Sequence, residues 1–151
     1  MRIQLCCLAL ALLMFPWTAI AEESSEAETG SNSIEFFIGG THSDDDDIEF
    51  SLGIAYERRF SGKIGLGGLV EYTKSREWVL AVPLYFHATE SWKLFAAPGV
   101  EIEDGGSEFL VRLGTAYEFE MGGWTLAPEL SFDFVDSEVK TIIGLNFGFE
   151  F

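Results

Sequence analysis

The last ten residues of the chain, IIGLNFGFEF (142–151), carry an apolar side chain at every second position back from Phe151: Phe149, Phe147, Leu145 and Ile143. A period of two marks a β-strand with one apolar face, because successive side chains leave an extended backbone on opposite sides. The same alternation recurs upstream, and no segment after Ser33 shows the helical period. Strands are expected over 34–41, 48–60, 64–73, 78–88, 92–103, 108–120, 124–135 and 139–151, separated by HSDDDD, SGK, KSRE, TES, DGGS, MGG and DSE. Eight strands with links this short pair only as antiparallel neighbours. Pro83, Pro98 and Pro128 fall inside strands. Proline removes a ladder donor, so local bulges are expected there.

Each strand has one continuous apolar face. Phe50, Leu52, Ile54 and Tyr56 share one parity of the second strand, and Trp78, Leu80, Val82, Leu84 and Phe86 one parity of the fourth. Two architectures produce this pattern. A soluble barrel, of the kind that binds a small ligand, turns the apolar face inward; a membrane barrel turns it to lipid and keeps the polar face for the lumen. Three observations favour the second. The polar parity is rich in glycine (Gly53, Gly65, Gly67, Gly99, Gly114, Gly144, Gly148), which weakens a solvent-facing strand but suits a crowded narrow lumen. The aromatics gather at strand ends, with Phe60, Phe86, Trp92, Phe119, Trp124 and Phe151 by one set of turns and Phe50, Tyr72, Trp78, Phe109, Phe132 and Phe134 by the other, as at two membrane interfaces. Strand lengths suit a tilted bilayer crossing. The expected fold is an all-β, eight-stranded, antiparallel up-and-down transmembrane β-barrel.

Residues 1–21 read as a secretory signal peptide: Met1-Arg2, an apolar run from Leu5 to Trp17, and Ala19-Ile20-Ala21 before Glu22. Cys6 and Cys7 both lie in it, so the exported chain has no disulfide or thiol chemistry. Residues 22–33, acidic and without periodicity, read as a disordered leader, which leaves 34–151 as the barrel. The net charge of −16 repels nucleic acid and excludes it as a partner.

With signal peptide, eight alternating strands and terminal Phe151, residues 34–151 resemble the small eight-stranded outer-membrane barrels of Gram-negative bacteria, the OmpA/OmpX-type domains. The resemblance implies a monomer in the cell outer membrane with periplasmic termini, in contact with outer-membrane lipid and lipopolysaccharide. It also implies that the last strand is the signal read by the outer-membrane assembly machinery, carried here by Phe151, Phe149, Phe147, Leu145 and Ile143. The loops are shorter than those of adhesins of this type.

The lumen parity carries Arg59, Lys93, Arg112 and Lys140 among many acids, including Glu57, Glu71, Glu101, Glu118, Glu129 and Asp133. Buried charges need partners, so an ion-pair network plugging the lumen is expected, with Arg112 in reach of Glu71, Glu101 or Glu129. The competing reading is a narrow cation-selective channel, favoured by the acid excess. His42 and His87 are the only histidines. His42, Ser43 and Asp44 are consecutive and do not converge as a catalytic set, and Tyr85 and His87 fall on the lumen side. No catalytic residue, metal ligand or cofactor is assigned. The acidic run Asp44–Asp47 lacks the spaced ligands and glycine of a calcium loop and reads as a solvated, self-repelling loop. The function expected from the sequence is that of a non-enzymatic envelope barrel with a structural or surface-interaction role.

Overall fold

A computed structural model describes residues 31–43 and 48–151. The signal peptide, most of the leader and Asp44–Asp47 lie outside the described residues. Ten hydrogen-bonded segments make up the fold: β1 (Asn32–His42), β2 (Ile48–Arg59), β3 (Ile64–Thr73), β4 (Trp78–Ala81), β5 (Leu84–His87), β6 (Trp92–Glu103), β7 (Gly106–Tyr117), β8 (Phe119–Glu120), β9 (Thr125–Val135) and β10 (Glu138–Glu150). β4 and β5 are two halves of one stave, since both lie between β3 and β6, and β8 extends β7 alongside β9. The result is eight antiparallel staves. β1 pairs with β2 on one side and β10 on the other, which closes the barrel. Asn32 and Ser33, read from the sequence as the end of the leader, are the first residues of β1. Asn32 N–H donates to Phe151 O at 3.1 Å and Phe151 N–H to Asn32 O at 2.8 Å, so the chain's last residue seals the first strand.

The stagger follows from the pairing. Asn32 faces Arg58, then in turn Leu66, Leu84, Ala96, Leu113, Phe132 and Thr141, which faces His42. One circuit thus returns to β1 ten residues on. That shear tilts the staves steeply and leaves an interior just wide enough for side chains to fill.

The expected bulges at the prolines do not form. Leu69↔Ala81 and Leu66↔Leu84 stay in one register across Pro83, and Pro98↔Val111 and Pro128↔Leu145 sit in unbroken runs. A proline loses a donor but keeps its acceptor. Pro83 O still accepts from Gly67 N–H, and Pro98 O from Val82 N–H, both at 2.9 Å. Each proline therefore costs one ladder bond, not the register.

Most of the large apolar side chains point outward. Ile143 is 63% and Phe151 68% exposed, and Phe50, Trp78, Phe86, Trp92 and Phe119 are exposed as well. Outward polar groups find local partners: Trp92 Nε1–H donates to Thr115 Oγ1 at 2.6 Å, and Tyr56 O–H to Asn32 Oδ1 at 2.8 Å. Inside, two rings explain part of the glycine pattern. Phe37 lies over Gly39 and Gly144, and Phe95 over Gly114; a Cβ on Gly144 would sit 2.3 Å from Phe37 Cε2, and one on Gly114 2.3 Å from Phe95 Cζ. These rings, with Leu69 and inward alanines, fill the level between two charged zones.

Candidate functional site

The inward parity builds a charged lumen in three tiers. Midway, Arg112 on β7 is 2% exposed and its guanidinium forks onto Asp133 of β9, with Nε–Oδ1 at 2.6 Å and Nη2–Oδ2 at 2.7 Å. Its Nη1 reaches across the barrel to Glu71 Oε2 on β3 at 2.5 Å. Towards the loops that join β1 to β2 and β3 to β4, Lys140 of β10 donates to Glu101 Oε1 at 2.8 Å and to Glu77 Oε2 at 3.1 Å. Towards the chain termini, Lys93 of β6, 1% exposed, donates to Glu35 of β1 and lies 3.0 Å from Glu118, 4.0 Å from Glu57 and 5.1 Å from the Tyr85 ring centre. Beside it, His87 contacts Glu57 at 2.7 Å, and Arg59 lies 3.8 Å from Glu57 and 3.7 Å from Glu150.

The structure distributes the residues singled out from sequence in a definite way. Of the three acids weighed for Arg112, Glu71 meets it. Glu101 belongs to Lys140, and Glu129 accepts from Asn146 Nδ2 at 2.6 Å and Ser131 Oγ at 3.0 Å. Asp133, read as one lumen acid among many, is the bidentate partner of Arg112. Glu35 and Glu77 were not singled out. The parity of β1 points Glu35 inward, so its signal was present. Glu77 sits in the turn before β4, where alternation carries no information.

Two spaces frame the tiers. A cavity of ≈ 20 Å³ lies between the Arg112 and Lys93 tiers, touched by Glu35, Glu71, Glu129 and Asn146. That is room for about one water molecule. The termini end opens into a vestibule of ≈ 650 Å³ whose walls include Arg59, Lys63, His87, Glu118, Glu120 and Glu150. At the loop end, the carboxylates of Glu77, Glu101 and Glu103 lie within 4.8 Å of one another, a grouping that suits a hard cation. Lys140 already sits on two of them. His42 ends β1 at the loop end, and His87 lies at the termini end with Glu57 and Arg59 as its side-chain hydrogen-bond partners. Ile143, Leu145, Phe147 and Phe149 occupy the outward parity of β10, with Trp124 stacked 6.4 Å from Phe147.

No protein-family profile and no curated protein sequence matches the chain. Solved structures do. Ail, the attachment invasion locus protein of Yersinia pestis, superposes with a TM-score of 0.55 at 14% identity, covering 81% of this chain and 99% of Ail. Neisserial surface protein A gives 0.56 at 10% identity, covering 84% and 100%. A de novo designed transmembrane β-barrel gives 0.54 at 14%, covering 84% and 99%. A designed chain matching as well as natural ones shows that the likeness lies in geometry. By that geometry the chain has the fold of the small eight-stranded outer-membrane β-barrels, the OmpA/OmpX-type architecture.

Proposed function

We propose that the protein is a non-enzymatic outer-membrane β-barrel with a lumen closed to ions, exported with its termini in the periplasm and serving the envelope as a structural or surface-interaction element. One observation supports the closed lumen: each of Arg59, Lys93, Arg112 and Lys140 lies within 4.0 Å of at least two carboxylates, and the pairs Lys93–Glu35, Arg112–Glu71 and Lys140–Glu101 span the interior. Cross-barrel ion pairs at three heights leave little continuous water. The outward apolar face supports the membrane setting and speaks against the soluble ligand-binding barrel, which needs that face inside. The described loop-end turns are short, only Asp104-Gly105 and Asp136-Ser137 at two of them, which favours a structural over an adhesive role. Lipid, lipopolysaccharide and the assembly machinery are the partners of this reading, with Ile143, Leu145, Phe147, Phe149 and Phe151 as the assembly signal and the barrel acting as a monomer.

Planar-bilayer recording tests it. The refolded barrel is expected to be silent at high voltage. Resolved cation-selective steps would replace it with the narrow-channel reading, which is favoured by a specific imbalance: those four bases face eight carboxylates.

A further inference from the structure

Between the Arg112 and Lys93 tiers the lumen is filled by Phe37, Phe95 and Leu69 rather than by ion pairs. The ≈ 20 Å³ cavity at this level is walled in part by those apolar groups, yet charged side chains reach it from both tiers: Glu71 and Arg112 from one, Lys93 and Glu35 from the other. Glu71 is 1% exposed. Its Oε2 accepts from Arg112 Nη1, whereas no donor among the described residues reaches its Oε1. A buried carboxylate oxygen without a donor is strongly destabilising. Arg112 has donors to spare. A guanidinium carries five N–H groups, and three of them are engaged here, two on Asp133 and one on Glu71.

We propose that the cavity is a binding site for a single water molecule, held between the free oxygen of Glu71 and a spare N–H of Arg112. The water donates to Glu71 Oε1 and accepts from the guanidinium. Its second hydrogen points to Glu35, the partner of Lys93. The two tiers thereby become one hydrogen-bonded network across the level of rings that parts them. A buried water needs about 10–15 Å³ and two to four polar partners, and the cavity meets both requirements.

The same geometry selects water over a cation. Hard cations bind oxygens at about 2.0–2.6 Å, so carboxylates that share one must crowd together. Among the described residues, Glu77, Glu101 and Glu103 at the loop end are the three that do so. Around the cavity the carboxylates stand further apart, and water, at about 2.8 Å per hydrogen bond, has the longer reach. The space is too small for an ion with its hydration shell. Isolation of this water from the two mouths rests on the closed-lumen reading; its place beside Glu71 does not.

The test is water–methyl cross-relaxation by NMR, on the mature chain refolded in lipid nanodiscs with ¹³C-labelled alanine and leucine methyls. Ala55 and Leu69 line the cavity. Both are expected to show a cross-peak at the water frequency, with the opposite signs in laboratory- and rotating-frame experiments that mark a long-lived water. Leu110 on the loop side and Ala116 opposite Lys93, both buried, are expected to show none. Tyr85→Phe removes a hydroxyl at the cavity that could relay magnetisation by exchange, and leaves the peaks in place. Ala55→Val fills the space and abolishes the Leu69 peak. Absent peaks at Ala55 and Leu69, their loss in Y85F, or a Leu69 peak undiminished in A55V each overturns the site and leaves the closed lumen standing. Peaks lost when sodium is replaced by N-methylglucamine would mark a cation and overturn it too. Equal peaks at Leu110 and Ala116 would mean a continuous water column, which sinks the single-water site and the closed lumen together. Heat-modifiable gel migration establishes that each variant is folded, and the wild-type and Y85F spectra decide if A55V does not fold.

Discussion

The Arg112 tier and the Lys93 tier solve the same problem differently. Each buries one cation against carboxylates inside a narrow barrel. Arg112 does so with a planar fork, two bonds to Asp133 and a third across the lumen to Glu71, and all three side chains are almost fully buried. Lys93 is a point charge among Glu35, Glu57 and Glu118, steadied by the Tyr85 ring, with His87 and Arg59 between it and the vestibule. Guanidinium geometry fixes where its partners stand, whereas an ammonium accepts several arrangements of them. The middle of the barrel is thus built rigid and the termini end adjustable.

Breaking the middle tier has the largest expected effect. Arg112→Met leaves Glu71 and Asp133 unpaired in a site buried from bulk solvent, and removing one partner of a buried pair costs about 3–5 kcal/mol. Urea unfolding in lipid vesicles measures it, and under the closed-lumen reading the same variant gains conductance. A loss below ~1 kcal/mol would mean that bulk water already reaches this tier. Lys93→Met comes next, at about 1–3 kcal/mol, because Glu118 lines the vestibule and can recover solvent there. A loss from K93M equal to that from R112M would erase the distinction between the tiers. The aromatic level between them is probed by Gly144→Ala, whose methyl meets the Phe37 ring. Overpacking of this kind costs about 1–3 kcal/mol. Combining it with Phe37→Leu should return the share due to the ring and leave the contact with the Ile38 carbonyl oxygen, 2.6 Å from the same Cβ; additive losses would show that the ring is not the obstacle. The smallest effect belongs to the wall. Pro98→Ala restores a donor opposite Val82 and should raise stability by about 0.5–1.5 kcal/mol in the same assay.

Most of the wall was legible in the amino-acid order, because parity survives any error in strand boundaries. Ile143, Phe109 and Trp78 face out and Arg112, Lys93 and Glu71 face in, as alternation requires. The ends of strands were less legible. Gly106 and Glu138 belong to strands joined by two-residue turns, where glycine, serine and aspartate had suggested longer links. The prolines misled because a lost donor does not dictate a changed register. In the lumen, membership could be read but pairing could not. Asp133 stands opposite Arg112 on the neighbouring stave, but that Arg112 takes Glu71 rather than Glu101 depends on which residues of distant staves share a height, and height depends on the stagger of the closed barrel, which no single strand encodes. His87 shows the same limit: parity placed it inside, but only the closed structure brings Arg59 and Glu57 to its two nitrogens.

The stagger of ten residues carries a consequence for how such a chain can vary. Along every stave inward and outward positions alternate, so the circuit from Asn32 back to His42 meets itself with matching faces only because ten is even. Deleting one residue within β6, for instance, would leave part of that stave out of phase with its neighbours, sending Lys93 towards lipid or Leu94 towards the lumen, unless the odd residue were absorbed in a turn. Length changes inside the staves are therefore tolerated in twos, and single-residue changes belong to the turns. Counted this way, the barrel behaves like a closed loop with a parity rule, and the hydrogen bonds between Asn32 and Phe151 are where that rule is enforced.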